Sequence, residues 1–176
     1  REGVNIPALI CGGGQESGKR SGTENVPAIA GFGLAAELSE HGRRESSASM
    51  AQMRQRLISQ LTASLDDIVI NSPETAGENA GECCSSLLNI SFLGTRGEVL
   101  LHTLEQDGIY VSTGSACSSN KKGQSHVLKA MGLKDKEIEG TLRFSFGRMN
   151  SIEEIDIAAD KVAAAVKRFR RLGSFR

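Results

Sequence analysis

The chain has 176 residues and a formal net charge of zero, with 39% hydrophobic and 24% charged residues, which is ordinary for a folded domain with a hydrophobic core. The balanced charge excludes the basic footprint of a nucleic-acid-binding protein, so no direct nucleic-acid partner is expected. No apolar run approaches the roughly 20 residues of a membrane helix, and the N-terminus lacks the basic-then-apolar pattern of a signal peptide.

The first part of the chain predicts a loop, helical structure and then two strands. Glycines interrupt residues 1–25. The apolar spacing that follows predicts one long helix or two helices over about 27–62, with Pro27 in the first turn. The polar stretch 39–49 is then either an exposed helical middle or a break. Short strands are predicted at 68–70 and, from its alternation of apolar and polar residues, at 88–92.

The second part alternates helices with strands. Thr95 and Glu98 predict a capping box that begins a helix, and residues 109–111 predict a short strand. An exposed loop over 112–123 leads to a short helix that ends at Gly132. A strand over 142–146 then precedes a second capping box and a final amphipathic helix.

The first of the two middle helices is expected to bury its apolar side chains, Val99, Leu100, Leu101 and Leu104. In the second, Val127, Leu128 and Met131 form a short apolar face. Short strands beside helices predict an α/β fold, a two-layer sandwich in which helices cover a small mixed or antiparallel sheet.

The cysteines predict a reducing compartment. The four are Cys11, Cys83, Cys84 and Cys117. Adjacent cysteines cannot easily bond to each other, and no spacing matches a zinc site. Because scattered cysteines without a disulfide framework are typical of the cytoplasm, a cytoplasmic location is expected.

Cys117 is the sharpest candidate for chemistry. It lies in a loop rich in glycine and serine, whereas a structural cysteine is normally buried among apolar neighbours. Lys121, Lys122 and His126 follow it, and positive charge stabilises the reactive thiolate. On this chemistry alone, a reactive thiol and an incidental loop cysteine are about equally favoured.

Arg143 and the glycine-rich segment are weaker candidates. Arg143 alternates with apolar residues, so it faces away from the core, where its planar guanidinium could bind a carboxylate in two-point fashion. Taken alone, it is better explained by a surface ion pair. Residues 12–23 combine glycines with hydroxyl donors and could hold a phosphate, although they match neither a Walker nor a Rossmann motif.

Six segments together resemble the cysteine desulfurases of the NifS/IscS type, within the class V aminotransferase superfamily. The segments are residues 12–16 (GGGQE), 20–27 (RSGTENVP), 88–92 (LNISF), 112–119 (STGSACSS), 125–128 (SHVL) and 142–148 (LRFSFGR). They follow the family's order and cover nearly the whole chain, so their combination is specific although each piece alone is not.

The resemblance implies an enzyme that uses pyridoxal 5'-phosphate (PLP) to take sulfur from L-cysteine and leave L-alanine. By this resemblance Cys117 becomes a persulfide, Arg143 holds the substrate carboxylate, and Thr23 reaches the PLP phosphate of the neighbouring subunit in a homodimer. The segment around Cys117 resembles the subgroup that passes sulfur to a separate acceptor protein. An iron–sulfur scaffold is the usual acceptor, and a tRNA-thiolation enzyme is the runner-up.

The resemblance also implies that this chain is the C-terminal part of such an enzyme. The chain begins with Arg1 rather than Met. Residues 1–26 then correspond to a remnant of the large PLP-binding domain, and residues 27–176 to the small domain with its long connecting helix at about 27–62. Two alternatives stay open: a non-catalytic sulfur-relay or interaction module, and a related PLP lyase or aminotransferase in which Cys117 is incidental.

The isolated chain is expected to bind no PLP and to have no desulfurase activity. The family's PLP-binding lysine lies in a Ser-x-His-Lys segment that this sequence lacks, and that lysine is needed for the internal Schiff base. We therefore predict that the purified chain, mixed with PLP and then desalted, shows no visible absorbance of bound cofactor. A retained PLP band would contradict this prediction.

Overall fold

The computed structural model describes residues 3–73, 83–113 and 125–173, which fall into two units, Arg1–Arg43 and Arg44–Arg176. Most of the loop predicted over 112–123, including Cys117, lies outside the described residues. The division into residues 1–26 and 27–176 concerns the domains of a longer protein and stays a prediction.

The first unit contains a short 3-10 helix, Glu16–Gly18, and helix α1, Val26–His41. The Asn25 side chain caps α1 by accepting a hydrogen bond from the Ala28 amide at 3.2 Å, and Pro27 occupies the first turn as predicted. No residue of α1 is buried.

The second helix, α2, spans Arg43–Ser64. The predicted helical region is therefore two helices, and the break falls at Gly42 inside the polar stretch 39–49. Met53, Leu57 and Leu61 of α2 recur at helical spacing and are buried in the hydrophobic core of the second unit.

Three antiparallel strands form the sheet, in the order β1-β2-β3. They are β1, Ile68–Ile70; β2, Leu87–Phe92; and β3, Thr141–Ser145. This confirms the expectation of a small sheet covered by helices. The strand predicted at 109–111 was wrong: residue Ser112 makes one isolated antiparallel bridge to Arg143, and no ladder extends from it.

Four helices complete the second unit among the described residues. They are α3, Gly97–Gln106; α4, His126–Ala130; α5, Asp135–Glu139; and α6, Ile152–Gly173. The sequence analysis missed α5. No helix in the described ranges is both long and apolar enough to cross a membrane.

The two predicted capping boxes had different outcomes. Ser151 and Glu154 form theirs before α6, with reciprocal bonds of 3.1 and 3.3 Å between side chain and backbone. Thr95 does not cap α3, because its hydroxyl donates to the Phe92 carbonyl at 2.6 Å and Arg96 occupies the N-cap position.

The core lies between the sheet and the helices α2, α3 and α6. The strands supply Leu88, Ile90, Phe92, Leu142 and Phe144, and α6 supplies Ile155, Ala159, Val162 and Val166. The burial expected for Val99 was wrong, because this side chain is 39% exposed while Leu100 and Leu104 of the same helix lie in the core. Of the apolar face predicted for the short helix, Leu128 is buried, whereas Val127 is 54% and Met131 52% exposed.

Gly140, between α5 and β3, lies where two backbone segments touch. A Cβ atom at this position would overlap the carbonyl oxygen of Phe92, a backbone atom that cannot move aside. The Phe92 amide donates to the Gly140 carbonyl at 3.0 Å, which holds the two segments together.

We predict that Gly140→Ala destabilises the protein by about 3 kcal/mol, since overpacking against a fixed backbone costs of this order. Gly31→Ala is the matched control, because Gly31 lies in α1 with nothing within 4 Å of an added Cβ and alanine favours helix. Urea unfolding measures both. Equal midpoints for Gly140→Ala and the unsubstituted chain would contradict the prediction.

Candidate functional site

One face of the sheet is apolar and packs on the core, and the opposite face is polar. Residues directly opposite each other in antiparallel strands point to the same side. The register pairs Asn89 with Arg143 and Ser91 with Thr141. The predicted alternation of β3 is therefore confirmed: Leu142 and Phe144 face the core, and Arg143 is exposed on the other side.

A chain of hydrogen bonds runs across the polar face. Asn71 Nδ2 donates to Asn89 Oδ1 and to Ser91 Oγ, both at 2.7 Å. The Ser91 and Thr141 hydroxyls are 3.4 Å apart, and the Thr141 hydroxyl donates to the Glu137 carbonyl at 2.8 Å. Ser91 and Thr141 are almost fully buried, so their hydroxyl groups are satisfied inside the protein rather than by solvent.

Arg143 has a fixed backbone and a side chain that is unpaired in the described part of the chain. Its amide donates to the Ser112 carbonyl at 2.7 Å, and its carbonyl accepts from the Ser112 amide at 3.0 Å. Within the described residues its guanidinium makes no hydrogen bond or ion pair. The surface ion pair that the sequence favoured for this residue is absent from that part of the chain, and the guanidinium is open to an anionic ligand.

Cys117 lies outside the described residues, and its role stays a prediction. The structure does describe both ends of its segment. Ser112 is five residues before Cys117 and is held by the bridge to Arg143. On the other side Ser125 caps α4 by accepting from the Leu128 amide at 3.4 Å. Five residues of extended chain reach about 17 Å.

Thr23 belongs to the first unit, where the glycine-rich segment closes on itself. The Gly14 amide donates to Ser21 Oγ at 3.3 Å, and the Gly22 amide donates to Gln15 Oε1 at 3.2 Å. These amides are therefore already bonded within the segment. The Thr23 side chain is exposed and its hydroxyl bonds to no described residue, so it is available to donate to a ligand.

The described residues do not fit PLP by themselves. Thr23 could contact a phosphate, and Arg143 could bind a carboxylate. The lysines in the described ranges are all exposed, and none lies in a buried pocket suited to a Schiff base. No step of cofactor chemistry is therefore assigned to this chain.

Two features of this region were not predicted from the sequence: the position of Arg143 opposite Asn89 and the bridge between Arg143 and Ser112. The alternation of β2 placed Asn89 and Ser91 on one face, but only the strand pairing brings Arg143 opposite Asn89. No signal in the sequence identified Ser112 as the partner of Arg143, because a single bridge leaves no periodic pattern.

Comparison with known proteins gives consistent matches along the chain. Residues 12–157 match the family model of class V aminotransferases. The chain is 38% identical to cysteine desulfurase IscS of Clostridium botulinum strain Hall, over 98% of this chain and 42% of that protein. It is equally identical, at 38%, to cysteine desulfurase IscS 1 of Archaeoglobus fulgidus, over 98% of this chain and 43% of that protein.

Solved structures agree with these matches. A NifS-like protein superposes with a TM-score of 0.77 and 34% identity, covering 96% of this chain and 41% of that one. DndA from Streptomyces lividans superposes with a TM-score of 0.51 and 27% identity, over 80% of this chain and 37% of its own. The chain thus spans about two fifths of the length of the relatives it matches.

We predict that Ser112→Pro opens the bridge to Arg143. Proline has no N–H to donate to the Arg143 carbonyl, and the loss of that bond leaves the Arg143 amide with a single, weakened bond to the carbonyl of residue 112. Amide hydrogen exchange of Arg143 should then accelerate by roughly tenfold or more. The amides of Leu142 and Phe144 point to β2 by strand alternation and serve as internal controls. Unchanged protection at Arg143 would show that the bridge does not hold it.

Proposed function

Since the chain belongs to the class V aminotransferase family, we propose that it is the C-terminal portion of a cysteine desulfurase. The whole protein takes sulfur from L-cysteine, leaves L-alanine and carries the sulfur as a persulfide on Cys117. The observation that carries this proposal is the open guanidinium of Arg143, whose backbone is paired with the residue that begins the Cys117 segment.

Arg143 is suited to bind the carboxylate of an amino acid. It projects from β3, whose backbone is hydrogen-bonded to β2 on one side and to Ser112 on the other. The position of the Arg143 Cα atom is therefore fixed even though the side chain is exposed. No carboxylate in the described part of the chain competes for it. A guanidinium and a carboxylate form two parallel, charge-assisted hydrogen bonds, which orient the substrate as well as hold it.

Cys117 is the proposed sulfur acceptor. Its thiolate attacks the sulfur of the bound cysteine: a sulfur–sulfur bond forms, the carbon–sulfur bond breaks, and the carbon keeps the electron pair and is protonated to give alanine. When bound, PLP supplies the electron withdrawal that lets that bond break. The anchored ends at Ser112 and Ser125 leave twelve intervening residues, long enough to carry sulfur from the substrate to an acceptor.

The remaining parts of the proposal follow the family resemblance. Thr23, with its free hydroxyl, contacts the PLP phosphate of the partner subunit in a homodimer. The cofactor lysine resides in the part of the protein beyond this chain. The proposed acceptor is an iron–sulfur scaffold or a tRNA-thiolation enzyme, and the proposed location is the cytoplasm.

Arg143→Gln in the longer protein should raise the KM for L-cysteine by roughly 100-fold, because losing a two-point charged contact costs about 3 kcal/mol. Alanine formation at varied cysteine concentration measures it. Arg44→Gln is the matched control, since Arg44 is an exposed arginine on α2 with no bonding partner in the described chain. An unchanged KM in Arg143→Gln would refute the substrate role of Arg143.

Cys117→Ala in the same protein should abolish persulfide formation and reduce alanine production to background, because no other thiol is assigned to accept the sulfur. Radiolabelled cysteine sulfur retained on the protein, resolved without reductant, measures the persulfide. Unchanged sulfide release would remove Cys117 from the mechanism and favour a related PLP lyase.

A further inference from the structure

A buried arginine contacts the first of the two adjacent cysteines that precede β2. Arg54 of α2 is only 1% exposed. Its Nη1 donates to Cys83 Sγ at 3.1 Å, and its Nη2 donates to the Pro73 carbonyl at 2.5 Å. Its buried Nε has no hydrogen-bond partner among the described residues. No carboxylate in the described part of the chain pairs with this guanidinium.

The positive charge of Arg54 lies beside the turn at residues 83–86. The groups that its guanidinium reaches in the described part of the chain are a neutral carbonyl and a sulfur. Positive charge near a thiol favours its thiolate form, and the charge of Arg54 contributes in this direction at Cys84.

Cys84 is the cysteine best placed to be that thiolate. It is exposed, and its Sγ lies 3.1 Å from Ser86 Oγ. The hydrogen bonds from the Ser86 hydroxyl and the Ser86 amide, with the charge of Arg54 as a smaller contribution, lower the pKa of Cys84. Cys83 differs, because it is half-buried and its thiol donates to the Pro73 carbonyl at 3.4 Å, which requires a proton on the sulfur.

The turn that holds Cys84 is fixed by the sheet. The Leu87 amide donates to the Cys84 carbonyl at 3.4 Å, and the Phe146 amide donates to the Ser86 carbonyl at 2.8 Å. The Ser86 hydroxyl is thus held beside the sulfur by the backbone on both sides. This keeps the hydrogen-bond donors in place before any reagent arrives.

We propose that Cys84 is a second reactive thiol of this protein, a modification site that forms a mixed disulfide with low-molecular-weight disulfides of the oxidised-glutathione class. The Cys84 thiolate attacks one sulfur of the disulfide, a new sulfur–sulfur bond forms, and the original one breaks. The released half leaves as a thiolate with the bonding electron pair. Cys84 is oxidised and the departing thiol is reduced, so no further oxidant is needed.

The proposal for Cys84 does not rest on the proposed function. Cys84 precedes Leu87, which pairs with Ser145 at one end of β3. Its hydrogen bonds and its neighbours Ser86 and Arg54 are independent of Arg143 and Thr23, the residues proposed to bind substrate and cofactor.

The test uses the 176-residue chain with Cys117→Ser, so that three cysteines remain. The chain is incubated with oxidised glutathione, and tandem mass spectrometry measures the adduct at each site. Cys84 should react faster than Cys11, an exposed cysteine whose sulfur has no hydrogen bond in the described chain. The rate at Cys84 should rise with pH and reach its plateau at a lower pH than that of an ordinary thiol, because the pKa of Cys84 is lowered.

Ser86→Ala and Ser85→Ala separate the hydrogen bond from general effects of the turn. Ser86→Ala removes the main donor to the sulfur, so the pH midpoint should rise and the rate at pH 7 should fall roughly threefold per pKa unit. Ser85→Ala should change neither, because the Ser85 hydroxyl bonds to Ser47 instead. Circular dichroism checks that each variant is folded.

Two results would overturn the proposal. The first is modification of Cys11 or Cys83 at a rate equal to or above that of Cys84. The second is a pH midpoint at Cys84 that is the same in Ser86→Ala as in the parent chain. Because Cys117 is absent from every protein in the experiment, neither result bears on the desulfurase proposal.

Discussion

The register between β2 and β3 is the constraint on which the rest of the second unit depends. It places Asn89 opposite Arg143 and, on the other face, Ile90 opposite Leu142. Because side chains alternate along a strand, a slip of one residue would bury the guanidinium and expose Phe144. Burial of the apolar face and exposure of the polar face therefore both require the same register between β2 and β3. The position of Arg143 opposite Asn89 follows from that register.

Elements with a long periodic pattern could be predicted from the sequence, and short ones could not. The alternation in β2 and β3 and the apolar stripe of α6 were sufficient to identify them. Helix α5 has only five residues, too few for a period of 3.6 to show. Residues 109–111 look like a strand, but a strand exists only where a neighbour supplies a ladder, and the sequence does not reveal pairing.

At the two candidate sites, Arg143 could be predicted from the sequence, whereas Arg54 and its contact with Cys83 could not. Arg143 was identifiable because an arginine inside an alternating strand must face away from the core. Arg54 was not singled out, although Met50, Met53, Leu57 and Leu61 mark an apolar stripe and Arg54 lies one turn from Leu57 and Met50 on its border. A charged residue beside such a stripe is a signal that sequence alone can offer. Its partner Cys83, 29 residues away, could only come from the fold.

Helix α1 is rich in apolar side chains that are exposed. Its apolar side chains are open to solvent, with Val26 66%, Ile29 58% and Phe32 77% exposed. A helix that is apolar on several sides is normally stable in water only when another surface covers it, because each exposed side chain forfeits the free energy of burial. The chain spans about two fifths of the length of the relatives it matches, and the longer enzyme that we propose would supply that cover. The exposed apolar side chains of α1 therefore agree with the proposal, because burial against a further surface would recover the free energy that they forfeit in water.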